Sequence, residues 1–112
     1  MAIIIEALPD DALVVRGGRN RPEDIERGTA THPSGITGVS VESAAAVTVV
    51  ELAKMIPHGR IGVTTVGEVR KAGGDVIRTS GRSANHATLT GLTPGQASHL
   101  LTPTMLNPAR NR

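Results

Sequence analysis

Apolar and polar positions alternate along the chain in short runs that predict interleaved strands and helices. Runs rich in β-branched and aliphatic residues predict strands at 2–7, 12–16, 36–41, 61–64, 75–79 and 87–91. The first two runs form either a strand pair or one strand after a leading arm. Several connections are too short for a regular series of parallel crossovers. The pattern therefore predicts a small α+β domain with a mixed β-sheet and three to four short helices.

Capping signals mark where the helices begin. A Thr is followed three residues later by Glu or Gln at Thr48–Glu51, Thr65–Glu68 and Thr93–Gln96. A further short helix begins at Pro22, has acidic residues in its first turn, and ends at Gly28. Residues 1–102 are assigned to one domain. Residues 103–112, which are rich in Pro, Asn and Arg, are expected to form a flexible tail.

Composition limits the function classes that this chain can serve. Its 112 residues include no Cys, Phe, Tyr or Trp. A nucleic-acid-binding sheet of the RRM or OB type is excluded, because such sheets stack bases on aromatic side chains. We expect no membrane span and no leader, since the apolar opening is short and Glu6 interrupts it. The absence of Cys is consistent with a reducing cytoplasm, so a cytoplasmic chain is expected. Homo-oligomerisation is also expected, because a core of small side chains buries little apolar surface.

Charge is distributed unevenly along the chain. Residues 1–51 hold four Arg against eight Asp and Glu, giving −4, whereas residues 52–112 hold eight Lys and Arg against two acids, giving +6. Ten of the twelve cations are Arg, whose planar fork of donors suits phosphate. We therefore expect RNA or another phosphate-bearing ligand as the partner, with its site in the basic second half.

Two familiar kinds of catalytic site are not expected. The four His residues are far apart in sequence and Cys is absent, so no metal site and no cofactor are predicted. Ser40 lies in a Gly38–Glu42 segment that departs from G-x-S-x-G at its last position, which argues against a serine hydrolase of that kind. The segment Arg16–Arg19, with its two glycines, is a weak anion-binding signal and more typical of a turn.

Two loop histidines form the catalytic hypothesis. His58 stands beside Arg60 and His86 follows a polar loop containing Arg82, so each histidine has an arginine nearby in sequence. A histidine pair can act as general base and general acid, in either order, while guanidinium groups hold a phosphate. Supporting hydroxyl contacts to the phosphate are predicted from Thr64 and Ser80. The alternative is structural: His58 caps a helix and His86 is hydrogen-bonded within its loop.

Three segments of the second half carry a family resemblance. They are Ile56–Thr65, Gly73–Ile77 and Asn85–Pro94. Together they resemble the C-terminal part of small bacterial ribonuclease-toxin domains of the barnase/RelE-like kind. The resemblance implies a compact α+β domain with an open sheet that cleaves RNA without a metal ion, with His58, Arg60 and His86 at matching positions. No Glu stands near His86 in sequence.

Two other functions remain open at this point. Arg16 at the end of a strand, followed by the strand at 35–40, resembles the Arg-then-Ser order of ADP-ribosyltransferase-like domains and implies a NAD-binding cleft. Alternatively, the chain is a non-catalytic oligomerising or partner-binding module, one half of a toxin–antitoxin pair. The ribonuclease hypothesis likewise implies a cognate antitoxin or immunity protein.

Overall fold

The computed structural model describes residues 7–110, which form one curled β-sheet flanked by short helices. In chain order the elements are β1 Leu13–Gly17, α1 Pro22–Gly28, β2 Ala30–Thr31, β3 Thr37–Ala44, α2 Val49–Ala53, β4 Arg60–Thr65, α3 Val66–Lys71, β5 Asp75–Arg78, β6 His86–Thr90, α4 Pro94–Leu100 and β7 Met105–Leu106, followed by a 3-10 turn at Pro108–Arg110. The predicted α+β class is confirmed. The predicted strand at 2–7 lies outside the described residues except for Ala7.

The strand order of the sheet is β5-β6-β3-β1-β4-β7, and β2 pairs with β3. Every strand pair within residues 7–110 is antiparallel, so this sheet is antiparallel rather than mixed. Short connections explain the antiparallel pairing of β2 with β3 and of β5 with β6, because a parallel neighbour needs a crossover of about a dozen residues or more. The chain instead turns back beside itself, as it does in the loop between β5 and β6.

The four predicted helix starts are confirmed, and three of them depend on a threonine hydroxyl. The hydroxyl accepts the backbone N–H three residues later at Thr48, Thr65 and Thr93. Of these three helices only α4 forms the reciprocal bond, from the backbone N–H of Thr93 to the side chain of Gln96. In α2 and α3 the corresponding Glu instead pairs with a Lys three residues further on. None of the helices within residues 7–110 is long and apolar enough to cross a bilayer.

Each face of the sheet carries its own apolar cluster, because successive residues of a strand point to opposite faces. Val14 belongs to the cluster covered by α1, α3 and α4, which includes Ile25 and Leu101. Its neighbour Val15 belongs to the cluster covered by α2 and the 3-10 turn, which includes Leu52. Aliphatic side chains fill both clusters, so the fold needs no aromatic residue.

The C-terminal segment differs from the flexible tail that its composition suggested. Residues Met105–Leu106 form β7 against β4. Asn107 is 2% exposed, and its Nδ2 donates to the carbonyl oxygens of Ile56 (3.2 Å) and His58 (3.0 Å). Its Oδ1 accepts the backbone N–H of Ala109 at 2.9 Å. One buried side chain therefore attaches this segment to the loop that carries His58.

We predict that Asn107→Ala lowers the free energy of unfolding by about 1–3 kcal/mol, because it leaves the buried Ile56 carbonyl and the partly buried His58 carbonyl without this donor. Leu106→Ala is the control, since Leu106 is 68% exposed and its loss is expected to cost at most about 0.5 kcal/mol. Urea unfolding followed by far-UV circular dichroism measures both, as the chain has no aromatic fluorophore. Equal stability of Asn107→Ala and wild type would contradict the prediction.

Candidate functional site

The candidate site is a cavity that opens where β1 and β3 stop pairing. β1 pairs with β4 as far as Gly17, but its register with β3 ends at Val15. Beyond that point, the carbonyl of Ser40 on β3 accepts a hydrogen bond from the Arg16 guanidinium at 2.8 Å. The cavity between the strands has a volume of about 610 Å³ and is bordered by α1 and by the loop that follows α2.

Arg16 is the innermost cation of this cavity. Burial lowers the pKa of its guanidinium, and the charge of Asp24 opposes that shift. Its Nε is buried and has no hydrogen-bond partner among residues 7–110. Gly28 makes room for the group, because a Cβ at that position would collide with a terminal nitrogen of Arg16. A charged donor thus stands in low-dielectric surroundings with one of its N–H groups unused, and such a group binds anions strongly.

Three more arginines line the cavity, namely Arg19, Arg21 and Arg27. Asp24 on α1 holds two of them, accepting from Arg21 Nε at 2.9 Å and from an Arg27 terminal nitrogen at 2.6 Å. The hydrogen bond from Arg21 is the main cause that lowers the pKa of Asp24 to about 2. All four cations of residues 1–51 therefore meet in one cavity, although that half of the sequence is acidic overall.

His58 and Glu42 supply the groups of this cavity that can transfer protons. His58 is exposed in the loop after α2, and its ring lies so close to Gly17 that a Cβ there would collide with it. Glu42 lies on β3, and its Oε1 is buried without a partner among residues 7–110. Buried polar atoms normally have partners, so an unpaired donor and an unpaired acceptor in one cavity indicate a ligand site.

The two predicted catalytic histidines reach this cavity in different ways. His58 lines it directly. His86 lies on β6, and its Nε2 is 3.1 Å from the Oγ of Ser40, which does line the cavity. The ring of His32 lies beside that of His86, with the two ring centroids 6.1 Å apart. His86 is therefore connected to the cavity through a hydroxyl group rather than exposed in it.

The four predicted phosphate contacts lie elsewhere. Arg60 donates to the side chain and the carbonyl of Thr104, at 2.8 and 2.9 Å. Arg82 and Ser80 are exposed in the loop between β5 and β6, and Thr64 lies on β4 opposite Val14. None of the four is among the residues that line the cavity. The arginines that are close to the histidines in sequence are therefore not the arginines that share a cavity with His58.

Sequence reasoning missed most of the cavity residues. Glu42 was overlooked because it is 44 positions from His86 in sequence, although the two are direct cross-strand partners in the β3–β6 register. Arg16 and Arg19 did carry a signal, since they flank the glycine pair that was interpreted as a turn. Gly18, with φ of 95°, does form that turn at the end of β1. The turn therefore also builds one wall of the cavity.

Comparison with models of known families, with curated proteins and with solved structures gives no significant match. The chemistry of the cavity is therefore the basis for assigning a function. Among residues 7–110, no three His, Asp or Glu side chains stand close enough together to hold a metal ion.

We predict that the Asp24 carboxylate stabilises the fold above about pH 4 and stops doing so as the pH falls toward 2. Its pKa is depressed to about 2 in the folded state, so the folded protein resists the protonation that the unfolded chain accepts. Asp24→Asn is accordingly less stable than wild type at pH 7, and the difference decreases below pH 4. Thermal unfolding measured by circular dichroism across this pH range tests the prediction.

The control for that experiment is Asp11→Asn, which alters an exposed carboxylate with no ion pair among the described residues. Its melting temperature should follow that of wild type at every pH. A stability difference between Asp24→Asn and wild type that stays constant from pH 7 to pH 2 would refute the assigned role of Asp24.

Proposed function

We propose that this chain cleaves RNA phosphodiester bonds in the cavity between β1 and β3, using its own side chains for charge stabilisation and proton transfer. The observation that carries the proposal is the meeting of four arginines, His58 and Glu42 in one cavity. Arg16 offers a buried Nε–H and Glu42 a buried Oε1, both without partners among residues 7–110.

Arg16 is placed to bind a phosphate at the centre of the cavity, and the other three arginines are placed to bind phosphates at its rim. Arg16 is partly desolvated, so a charge-assisted hydrogen bond from it to a phosphate oxygen is stronger than one made at the surface. Arg19, Arg21 and Arg27 can meet the flanking phosphates of a polyanion. With no Phe, Tyr or Trp to stack on a base, we expect recognition to depend mainly on the phosphate backbone.

Proton transfer is assigned to Glu42 and His58. Glu42 takes the proton of the ribose 2′-hydroxyl, whose oxygen forms the new bond to phosphorus. The bond from phosphorus to the 5′-oxygen breaks, and His58 in its protonated form gives that oxygen a proton. The products are a 2′,3′-cyclic phosphate and a free 5′-hydroxyl. Glu42 thus replaces His86 in the acid–base pair, because Glu42 lines the cavity and His86 does not.

The setting of this activity is part of the proposal. We propose that the chain cleaves RNA in the cytoplasm as a bacterial toxin-like ribonuclease, with a cognate antitoxin or immunity protein as its partner. An acidic surface on that protein would complement the arginines of the cavity. Homo-oligomerisation stays a prediction from composition.

One observation favours a second candidate, an ADP-ribosyltransferase-like reaction on NAD. Arg16 on β1 and Ser40 on β3 are in contact, and both line the cavity with Glu42 two residues further along β3. That arrangement keeps the Arg-then-Ser order of those domains. Incubation of the same protein with NAD, with nicotinamide release as the readout, separates the two reactions.

We predict that purified protein cleaves a single-stranded RNA in excess EDTA, and that His58→Ala and Glu42→Gln each lower the rate about 10²-fold or more. Arg16→Lys should lower the rate by a similar factor, because an ammonium cannot present the planar fork of donors. Gel analysis of a labelled oligonucleotide measures all four proteins, and a terminal cyclic phosphate on the 5′ product identifies the reaction.

The matched control is His99→Ala, which removes an exposed histidine on α4 that does not line the cavity. Its rate should equal that of wild type, and an unchanged circular dichroism spectrum excludes misfolding of the slow variants. RNA that stays intact with every protein would leave NAD cleavage and the non-catalytic partner-binding module as the remaining hypotheses.

A further inference from the structure

We propose that Ser40 is an activated nucleophile, and that the cavity therefore also hydrolyses phosphoesters that have no 2′-hydroxyl of their own. This second activity uses the phosphate-binding arginines of the proposed function but not its ribose chemistry. Its basis is a hydrogen-bonded series that begins at Ser40 and continues through His86 to Thr79.

The geometry of this series is that of a nucleophile beside its base. Ser40 is exposed at the cavity, and its Oγ lies 3.1 Å from His86 Nε2. The other ring nitrogen, Nδ1, lies 3.2 Å from the carbonyl oxygen of Thr79 and 3.0 Å from its Oγ1. Gly81 packs on the ring so closely that a Cβ there would collide with it. The structural signature of covalent catalysis is a nucleophile within hydrogen-bond reach of a base, with the base itself oriented by a third group.

The contacts of Nδ1 also select the tautomer that a base requires. A carbonyl oxygen can only accept, so the bond to the Thr79 carbonyl needs the proton on Nδ1. Thr79 Oγ1 can accept from Nδ1 as well when its own proton is donated to Thr88 Oγ1, which lies 2.9 Å away. Nε2 is then left unprotonated and able to accept the hydroxyl proton of Ser40.

A second serine–histidine pair in the same molecule provides an internal comparison. Ser34 Oγ lies 2.8 Å from His32 Nδ1, which is closer than the corresponding contact of Ser40. However, His32 Nδ1 already accepts the backbone N–H of Ser34 at 3.0 Å. Ser34 also does not line the cavity that holds the four arginines. Ser34 therefore has a histidine neighbour without a free lone pair and without a phosphate site.

Ser40 has charge stabilisation close by. The guanidinium of Arg16 donates to the carbonyl of Ser40 itself, and its unused Nε–H lies in the same cavity. A phosphoryl group held by Arg16 and the rim arginines would therefore stand beside the Ser40 hydroxyl. Guanidinium groups placed in this way stabilise the charge on the equatorial oxygens during attack.

The reaction proceeds in two steps, transfer of the phosphoryl group to Ser40 and hydrolysis of the phosphoserine. Ser40 Oγ forms a bond to phosphorus as its proton passes to His86 Nε2, and the bond from phosphorus to the leaving oxygen breaks as that oxygen takes the proton from His86. Water then attacks the phosphoserine and gives a proton to His86. The bond from phosphorus to Oγ breaks, and His86 returns the proton to Ser40.

A fluorophosphonate probe tests the nucleophile directly. Attack by Ser40 forms the Oγ–phosphorus bond and releases fluoride, and peptide mass spectrometry locates the adduct. In native wild-type protein we expect Ser40 to be labelled at least about tenfold faster than Ser34, with this preference lost in urea. His86→Gln should slow the labelling of Ser40 about 10²-fold. Hydrolysis of bis(p-nitrophenyl) phosphate, which has no internal nucleophile, should be lost in Ser40→Ala and retained in Ser34→Ala.

Labelling of Ser40 no faster than that of Ser34, or equal phosphodiester hydrolysis by Ser40→Ala and wild type, would overturn the inference. The comparison of two serines within one native molecule keeps the test decisive even where His86→Gln fails to fold. RNA cleavage without a Ser40 adduct refutes this inference and leaves the proposed function standing. An adduct at Ser40 in a protein that leaves RNA intact does the reverse.

Discussion

The separation of β1 from β3 after Val15 is the constraint on which the cavity depends. A carbonyl that loses its strand partner must find another donor, and Arg16 supplies one to Ser40 at 2.8 Å. This contact keeps a cation inside the gap and, with Gly28 leaving space, holds it at the junction of β1, β3 and α1. The gap would otherwise leave a strand edge unpaired at the middle of the sheet. The Arg16 guanidinium therefore both satisfies the Ser40 carbonyl and supplies the innermost cation of the proposed anion site.

The cavity carries a cost that a ligand would relieve. Desolvation lowers the pKa of Arg16, and the buried Nε of Arg16 and Oε1 of Glu42 have no partners among residues 7–110. Groups of this kind each cost about 1–3 kcal/mol when left unsatisfied. Asp24 limits the repulsion among the arginines by binding Arg21 and Arg27. A bound anion would offset the remaining positive charge and satisfy the unused donor.

The absence of aromatic residues affects core and site differently. In the core, aliphatic side chains from both faces of the sheet fill the available volume, so the fold forms without rings. At the site, no Phe, Tyr or Trp is available to stack on a base, so the proposed function depends on phosphate contacts and on the reach of His58, Glu42 and Ser40. Two polar routes lead to the proposed phosphate position: His58 reaches it from the loop after α2, and His86 reaches it from β6 through Ser40.

The sequence by itself determined the α+β class, the threonine caps of α2, α3 and α4, and the approximate strand positions. Each of these features depends on residues that lie close together in the chain. The sequence also predicted His58 and His86 as site residues from the composition of their loops, and of the two His58 lines the cavity. Only the tertiary structure decided that strands pair antiparallel throughout residues 7–110, and that Asn107 attaches the C-terminal segment. It alone brought Arg16 to Ser40, 24 positions away, and placed Glu42 opposite His86. Strand register sets these contacts, and register depends on packing of the whole sheet rather than on any local pattern.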